Sequence, residues 1–450
     1  MELLRRLKTP FALALAAGAL LLTAASPASA GKNMKVLHSF CSLTGCIDGK
    51  APTGSLFMDE AHNIYGTAET GGAHGGGTVY ELANNSDTGV YRFRTLYNFC
   101  NVVNCTDGSN PVRNKLIMDE AGQIYGTTQN GGTAGNGTVF MLVPNAGHTR
   151  YTQRVIHSFC EQFSGCEDGA QPVGGLTYKG AATGAAYDGV SPLFGVTTLG
   201  GRRHVGVVFS LTPNSDQSHW THRVLYFFCA IGKDCTDGQT PNENVFVDSH
   251  GNVIGTTAAG GHNGAGVVYR LVPTARGHWA ESVLHDFCND ENCADGKTPV
   301  AGVIGDAAGN VYGSTAEGGT VADACPDGCG LVYKVTPAGN TTVMHAFCAQ
   351  DSCADGIAPS GLMIDSIGNI FGTTNGGGKG GHGTIYELNA SFVVLYDIKC
   401  KNAKGCIKGV TSTGSMAEHP DGRLFGSLLE GGRNPDVNQG VVFQFSPTGS

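Results

Sequence analysis

Residues 126–144 read GTTQNGGTAGNGTVFMLVP, and residues 372–388 read GTTNGGGKGGHGTIYEL. The same order of elements occurs seven times in the chain: a short apolar run followed by Gly, a Gly-Gly pair, then an alternating apolar run. The Gly-Gly pairs fall at residues 71/72, 131/132, 200/201, 260/261, 318/319, 376/377 and 431/432, at intervals of 55 to 69 residues that are mostly close to 60. Self-similarity at a fixed period indicates tandem copies of one supersecondary unit.

Each repeat contains four short apolar runs that we interpret as strands. A first strand ends in an acidic turn, as in LIMDEAGQIYG (116–126), and a second strand of the type YGTT leads into the Gly-Gly segment. A third of the type GTVY and a fourth of the type VLHSF complete the unit. Asp, Gly and Asn in the acidic turns are typical of hairpins. Gly accounts for 69 of 450 residues and charged residues for only 14%, which suits tight turns better than amphipathic helices.

The chain begins and ends with one orphan strand. Residues 36–40 (VLHSF) form a fourth strand without its first three, and residues 440–445 (GVVFQF) form a third strand without its fourth. If the first completes the last, the repeats close into a ring without exposed edges. The sequence therefore predicts an all-β fold, a seven-bladed β-propeller of four-stranded blades closed by the N-terminal strand. A linear β-solenoid is the competing fold, but it would need capping segments, and none is visible.

Residues 1–30 have the pattern of a secretory signal peptide. The basic segment RRLK (5–8) precedes an apolar run over residues 11–25, and Ala-Ser-Ala follows at 28–30. The apolar run is shorter than the roughly 20 residues that span a bilayer. We expect cleavage near Ala30, a single propeller domain over residues 31–450 without a transmembrane segment, and a secreted or periplasmic location.

The 16 cysteines fall into eight local pairs. An even number with none left over in an exported chain predicts eight disulfides. The expected pairs are Cys41 with Cys46, Cys100 with Cys105, Cys160 with Cys166, Cys229 with Cys235, Cys288 with Cys293, Cys325 with Cys329, Cys348 with Cys353, and Cys400 with Cys406. Because such short loops gain little entropy from cross-linking, we expect the bridges to clamp loop shape. A zinc site would have only two thiols per repeat, so we expect no metal and no cofactor.

An Asp-Gly dipeptide follows most of these pairs. It occurs at residues 48/49, 107/108, 168/169, 237/238, 295/296 and 355/356, whereas the last repeat has Lys408-Gly409. A ring of carboxylates could indicate calcium binding or catalysis, but a calcium site needs six or more oxygens, and we favour turn formation. One position in the fourth strand is always His or Tyr, which indicates a packed ring with a polar tip. Its members are His38, Tyr97, His157, Tyr226, His285, His345 and Tyr396.

The disulfide loops and the Gly-Gly loops are expected at the same end of the propeller. The first connect an outer strand to the next blade, and the second connect the second and third strands. Function commonly lies on loops held by a stiff scaffold, so we expect this face to bind the ligand. The candidate binding residues in the Gly-Gly loops are His74, Arg202, Arg203, His204, His262, His382 and Arg433. These side chains could surround the central opening and bind an anionic polymer or a metal, although exposed histidine is common.

Several short motifs thus recur in one fixed order through the seven repeats, namely LHSF, Asp-Gly (Lys-Gly in the last repeat), YGTT, Gly-Gly and GTVF or close variants of them. From Val36 to about Phe445 the chain resembles the secreted bacterial family of choice-of-anchor tandem repeat GloVer-containing proteins. The resemblance implies an exported repeat protein, often with one of several alternative surface anchors, and it implies no activity for any particular residue. This chain ends in Pro-Thr-Gly-Ser at 447–450 without a sorting segment, so the resemblance does not extend to an anchor.

Composition and motifs restrict the function. The net charge is −9 and no basic cluster suits nucleic acid. No nucleophile elbow, zinc-protease motif, phosphate loop or dinucleotide fingerprint interrupts the repeats. Since catalysis needs unlike groups at one point, near-identical repeats favour a non-enzyme. We expect a monomeric binding or surface-interaction module for extracellular polysaccharide or a cell-envelope component. A polysaccharide hydrolase or lyase on the same scaffold, and a structural envelope protein, are the alternatives.

Overall fold

The computed structural model describes residues 33–161, 165–290, 292–400, 406–412, 414–432 and 439–447. The predicted signal peptide lies outside these residues. The described elements are 28 β-strands and five single-turn 3-10 segments. The 3-10 segments are Thr44–Cys46, Val103–Cys105, Ala181–Thr183, Ala275–Gly277 and Asp351–Cys353.

The strands form seven antiparallel sheets, which are the blades. Blades 1 and 2 contain β2 (Phe57–Met58), β3 (Ile64–Ala68), β4 (Thr78–Asn85), β5 (Val90–Asn98), and β6 (Ile117–Met118), β7 (Ile124–Thr128), β8 (Thr138–Pro144), β9 (Tyr151–Ser158). Blades 3 and 4 contain β10 (Leu193–Thr197), β11 (Val207–Pro213), β12 (Trp220–Phe227), and β13 (Gln239–Val247), β14 (Val253–Ala259), β15 (Val267–Pro273), β16 (Trp279–Asp286). Blade 5 contains β17 (Lys297–Pro299), β18 (Ile304–Gly305), β19 (Val311–Glu317), β20 (Leu331–Val335) and β21 (Thr341–Ala346). Blades 6 and 7 contain β22 (Ile357–Ile364), β23 (Ile370–Gly376), β24 (Thr384–Leu388), β25 (Phe392–Asp397), and β26 (Ala417–Glu418), β27 (Leu424–Leu428), β28 (Val441–Ser446).

The N-terminal strand closes the ring, as predicted. β1 (Asn33–Ser39) pairs antiparallel with β28 and becomes the outer strand of blade 7, with Val36 opposite Phe443. The seven-bladed propeller is therefore confirmed. Two blades are irregular at the axis: in blade 3 the first strand is reduced to a bridge between Thr177 and Phe194, and in blade 5 it is split into β17 and β18.

The blades pack face to face, so their middle strands are buried on both sides. All five residues of β3, IYGTA, are buried. Glycine is required at the centre of this strand because a Cβ at Gly66 would lie 2.4 Å from the hydroxyl oxygen of Tyr80. The third strand of every blade contributes one wholly buried aromatic ring: Tyr80, Phe140, Phe209, Tyr269, Tyr333, Tyr386 and Phe443. This arrangement explains why the YGTT and GTVY motifs are invariant in character along the chain.

A second aromatic ring joins neighbouring blades at six of the seven contacts around the ring. Phe99, which follows β5 of blade 1, packs edge-on against Phe140 of blade 2 with the ring centroids 5.1 Å apart. The equivalent pairs are Phe40 with Tyr80, Phe159 with Phe209, Phe228 with Tyr269, Phe287 with Tyr333, and Phe347 with Tyr386. Burying one such side chain contributes about 1.5–3 kcal/mol. Six such aromatic pairs therefore join neighbouring blades, and between blades 6 and 7 the buried Ile398 belongs to the same cluster as Phe443.

Candidate functional site

The disulfide loops and the Gly-Gly loops lie at one end of the propeller, which we call the disulfide face. In each repeat the second glycine of the pair donates its N–H to the carbonyl oxygen of the second cysteine. These bonds join Gly72 to Cys46, Gly132 to Cys105, Gly201 to Cys166, Gly261 to Cys235, Gly319 to Cys293, Gly378 to Cys353 and Gly432 to Cys406, at 2.8–3.1 Å. In the sixth repeat the pair in register is 377/378, so the predicted pair 376/377 was one residue early. All eight disulfides connect the predicted partners.

The Asp-Gly carboxylates are turned inward under the disulfide loops. Asp48 is 1% exposed, and its Oδ2 accepts hydrogen bonds from the His38 ring at 3.1 Å and from the backbone N–H of Ser42 at 3.0 Å. Burial alone would raise the pKa of Asp48, but the hydrogen bonds from His38 and Ser42 outweigh it and hold the pKa below its usual range. The Asp48 carboxylate therefore fixes the shape of the disulfide loop through these hydrogen bonds.

The same pairing recurs around the ring. The further pairs are Tyr97 with Asp107, His157 with Asp168, Tyr226 with Asp237, His285 with Asp295 and His345 with Asp355, at 2.7–3.3 Å. In the last repeat Lys408 donates instead to the hydroxyl oxygen of Tyr396 at 2.8 Å. Sequence analysis identified both positions without connecting them; the signal was their constant separation of 10 or 11 residues.

The structure places the candidate histidines beside the outer strands of four different blades. His74 is exposed, and the N–H before it, from Ala73, bonds to the side chain of Asn98 in β5 at 2.8 Å. His262 forms an ion pair with Asp286 at the end of β16, with 2.6 Å between Nδ1 and Oδ2.

The other two histidines lie in loops on blades 3 and 6. His204 is exposed in the loop of blade 3, and the His382 ring lies within 4.8 Å of the sulfurs of Cys400 and Cys406. The four histidines are thus not brought to one point, and Arg433 lies outside the described residues.

The two candidate arginines share a small groove on the disulfide face. The Arg202 guanidinium lies 4.5 Å from the ring centroid of Phe227, within the range of a cation–π interaction. Arg202, Arg203 and residues 225–230 line a depression of about 280 Å³. Among the described residues, this groove brings two of the predicted binding residues, Arg202 and Arg203, together.

A larger cavity, which was not predicted from the sequence, lies on the propeller axis; we call it the axial channel. Its volume is about 1110 Å³. Its lining consists of first strands and acidic hairpin turns and, among the described residues, includes none from the disulfide or Gly-Gly loops. The acidic turns lie at the opposite ends of the strands from those loops, so the channel opens away from the disulfide face. Large concave cavities of this kind are the usual location of ligand sites.

The walls of the channel combine apolar and polar surface in similar amounts. The apolar side chains that line it include Phe57, Met58, Ile117, Met118, Val247, Ile304, Met363 and Met416. An insertion in blade 3, residues 177–191, adds Tyr178, Ala181 and Ala182 to the wall and accounts for the long interval between repeats. The insertion is anchored by a parallel bridge between the buried Tyr187 and Asp119 of blade 2.

Carboxylates of the neighbouring blades 7, 1 and 2 lie at the open end of the channel. Glu60, Glu120 and Glu418 are exposed there. Partial burial, with a smaller contribution from the charge of Asp365, raises the pKa of Glu418 above its ordinary value. The mouth is therefore rich in hydrogen-bond acceptors and carries negative charge.

A hydrogen-bonded network fixes one side of the mouth. The Tyr65 hydroxyl donates to Asp59 at 2.9 Å and lies 3.3 Å from Glu81. Arg94 donates through Nε to Glu81 at 2.8 Å and through a second nitrogen to the carbonyl oxygen of His148 at 2.9 Å. Burial, and then the negative charges of Asp59 and Glu81, raise the pKa of Tyr65, so its hydroxyl stays a donor.

The channel ends at a floor where the first strands of neighbouring blades touch. A Cβ at Gly54 would lie 2.5 Å from the carbonyl oxygen of Asn114, and one at Gly414 would lie 2.4 Å from the carbonyl oxygen of Gly54. The polar floor residues Ser55, Lys115, Glu243, Asn244 and Ser415 belong to this level.

An ion pair reinforces the floor. The Glu243 carboxylate lies 3.3 Å from the Arg113 guanidinium and accepts the N–H of Gly302 at 3.0 Å. Burial raises the pKa of Glu243, and the charge of Arg113 opposes this effect. The pair joins blade 2 to blade 4, so it also braces blades that are not adjacent.

Two groups of side chains bring three potential metal ligands within 4.8 Å of one another. They are Cys325, Cys329 and Cys348, and His382, Cys400 and Cys406. Every cysteine in both groups is bonded in a disulfide. Because the thiolate is the form of cysteine that binds metal, neither group offers a sulfur ligand set while oxidised. No helix in the described ranges has the length and apolarity to cross a membrane.

Solved structures of low sequence identity resemble the fold. The extracellular domain assigned to the one-component system BT4673 of B. thetaiotaomicron is 9% identical, with a TM-score of 0.51 over 92% of this chain. This chain spans only 40% of that longer chain. The polysaccharide lyase Uly1 is 12% identical with a TM-score of 0.46, covering 88% of this chain and 90% of that chain. The propeller domain of the Trilobed protease from Pyrococcus furiosus is 9% identical with a TM-score of 0.43, covering 87% and 93%. At these identities the likeness concerns the fold alone.

No curated protein matches the sequence. The family model described as the Gloeobacter/Verrucomicrobia repeat does match, over residues 23–191, 185–352 and 282–450. These overlapping matches extend through all seven repeats, which agrees with the resemblance seen in the motifs. The chain therefore belongs to the Gloeobacter/Verrucomicrobia repeat family.

Proposed function

We propose that the protein is an exported binding module that holds the end of an extracellular or cell-envelope glycan in its axial channel. The observation that carries the proposal is the channel of about 1110 Å³ at the axis of a rigid ring. A site on such a scaffold needs little ordering when a ligand binds, and this favours affinity. Eight disulfides suit a protein that works in an oxidising compartment.

The chemistry of the channel suits a sugar chain. Phe57 and Met363 offer apolar surface to the C–H faces of the rings, while Glu60 and Glu120 at the mouth can accept hydrogen bonds from hydroxyl groups. Hydrogen bonds to charged acceptors are stronger than those between neutral groups. The disulfide face, with Arg202 and Arg203, is the rival location for the same function.

Two alanine substitutions distinguish the two ends of the propeller. Ala182 is exposed and lines the channel, whereas Ala73 is exposed in a Gly-Gly loop on the disulfide face. The variant A182W fills the channel mouth with a large side chain, and A73W places the same side chain on the other face. We expect A182W to weaken retention on a glycan about tenfold or more, which corresponds to a loss of roughly 1.4 kcal/mol, and A73W to have no effect.

The assay is retention of the oxidised protein on a panel of bacterial and plant polysaccharides, with release of new reducing or unsaturated ends followed in parallel. Saturable retention without product supports the binding module. Loss of retention in A73W but not in A182W would move the site to the disulfide face. No saturable retention on any polymer would refute the proposal and leave a structural envelope protein.

A polysaccharide hydrolase or lyase is the second candidate. One observation favours it: the pKa of Glu418 at the channel mouth is raised, which is what a general acid requires. Product formed over many turnovers, and abolished by E418Q while retention persists, would establish the enzyme. The same substitution in a binding module would change retention only slightly.

A further inference from the structure

One side chain sets blade 2 apart from the other blades at the floor of the axial channel. The residue just before the inner-strand apolar position is Lys115 in blade 2, whereas the other repeats have Ser55, Gly175, Asn244, Gly302, Gly361 and Ser415. Lys115 lies at the floor beside Ser55, with which it forms a parallel bridge. A residue that differs from its equivalents in the other repeats is a good candidate for a functional role, because the shared fold does not require the difference.

Lys115 also differs from the other polar side chains of the floor. Ser55 accepts the N–H of Ser415 at 3.0 Å, Asn244 accepts the N–H of Gly175, and Glu243 is paired with Arg113. In the described part of the chain no side chain or backbone group bonds to the Lys115 ammonium. The Lys115 side chain is accessible to solvent, and it lines a channel whose walls come from all seven blades. The solvent that reaches it is therefore the water inside the channel.

An ammonium group in such a position is poorly stabilised without an anion. Withdrawal from bulk water disfavours its charge, and this desolvation lowers the pKa of Lys115 below its ordinary value. A bound carboxylate would stabilise the charged ammonium of Lys115 by a charge-assisted hydrogen bond. The neighbouring cation Arg113 is already neutralised by Glu243, which leaves Lys115 as the group for a ligand.

We propose that Lys115 binds a carboxylate at the end of the glycan, so that the channel accepts a chain whose terminal residue is a uronic acid. The inference rests on the proposed function insofar as a glycan enters the channel. Glu60, Glu120 and Glu418 at the mouth disfavour a polyanion along its whole length. A chain with one terminal carboxylate followed by neutral sugars would place its charge beside Lys115 at the floor and only neutral groups beside the glutamates at the mouth.

The first experiment measures the accessibility of the Lys115 amine directly. The full oxidised chain is treated with acetic anhydride, and the acetylation rates of individual lysines are followed by mass spectrometry in the presence of glucuronate or of glucose. We expect glucuronate, and not glucose, to slow acetylation of Lys115 several-fold. Lys379, which is exposed in a Gly-Gly loop at the other end, serves as the internal control and is expected to react equally in both.

The second experiment compares two disaccharides that differ only in the carboxylate, cellobiouronic acid and cellobiose, by calorimetry. We expect K115M to weaken binding of the acid about tenfold or more, K115R to retain most of it, and K379M to change nothing. Binding of cellobiose should be weaker and indifferent to K115M.

The outcomes separate this inference from the proposed function. Equal acetylation of Lys115 with glucuronate and with glucose overturns the inference, even if polysaccharides are retained through the channel. Protection by glucuronate with no glycan retained upholds the anion site and refutes the glycan-binding function. Protection that persists when A182W blocks the mouth would also overturn the inference, because the anion would then be reaching Lys115 by a route other than the channel.

Discussion

Replacing His222 with Phe should stabilise the protein, and more so in acid. The His222 ring stacks on His157 with the centroids 4.2 Å apart, and its Nε2 is buried with no hydrogen-bond partner among the described residues. Two other blades carry a Phe in the same stacking position, Phe93 over His38 and Phe392 over His345, both at 3.7 Å. Phe therefore fits the site without new packing.

The magnitude follows from proton linkage. Burial, and then the charge of His157, lower the pKa of His222 from 6.5 to about 3. As the pH falls through 6.5 the unfolded chain takes up a proton that the folded protein does not, so His222 reduces stability progressively down to about pH 3. The reduction is about 0.2 kcal/mol at pH 7 and about 2 kcal/mol at pH 5. At pH 5 the value barely changes for any folded-state pKa below about 4.

Urea unfolding followed by the fluorescence of Trp220 and Trp279 gives the free energy of unfolding at both pH values. H222F should gain about 2 kcal/mol more over the original protein at pH 5 than at pH 7. H74Q, which alters an exposed histidine, is the control and should show no such difference. The same gain for H222F at both pH values would refute the reasoning, since it would mean that His222 is protonated in the folded state.

Three further substitutions test the packing of the repeats, each by the urea midpoint at pH 7. D355N should destabilise the protein by about 1–3 kcal/mol, because Asp355 is wholly buried and accepts bonds from His345 and backbone N–H groups. Hydrogen bonds lower the pKa of Asp355 although burial opposes them, so this loss should shrink below about pH 4. Y333F should stabilise by about 1 kcal/mol, because the buried hydroxyl of Tyr333 has no partner in the described residues. K408D should be neutral within about 0.5 kcal/mol, because Tyr396 could donate to Asp as in two other blades.

Each of these outcomes has a clear opposite. An unchanged midpoint for D355N would show that the carboxylate contributes nothing to its loop. A loss of stability in Y333F would reveal a partner for the hydroxyl, and a strong loss in K408D would show that Lys408 is required by more than Tyr396.

Much of the fold could be predicted from sequence because the information is local and repeated. The strand motifs, the hairpin turns and the cysteine pairs each lie within a few residues, and seven copies make each pattern legible. The orphan strands at 36–40 and 440–445 are far apart in the sequence, but their pairing was still predictable. Each lacks a neighbour within its own repeat, and closure of the ring pairs them with each other. The Gly-Gly register of the sixth repeat was misjudged because three consecutive glycines give the pattern no anchor.

The binding residues predicted in the Gly-Gly loops stay a prediction, whereas the axial channel was not predicted from the sequence. The histidines of the Gly-Gly loops, such as His74, are easily recognised in the sequence. The lining of the channel comes from all seven repeats, so no single segment of the sequence reveals it. Lys115 lies in the stretch NPVRNKLIMD (110–119), and its only signal in the sequence is a lysine where the other repeats have Ser, Gly or Asn. Its position in the lumen follows from the contact of neighbouring backbones at the floor.

The sequence by itself determined the repeat, the strand order, the disulfide partners and the closure of the ring, because these depend on periodicity and on short separations along the chain. Only the tertiary structure decided which carboxylates are buried against His or Tyr, which end of the axis is open, and which lysine lies in the lumen of the axial channel. Those properties depend on how strands 60 or more residues apart meet around an axis, and burial and electrostatic environment arise only from that meeting.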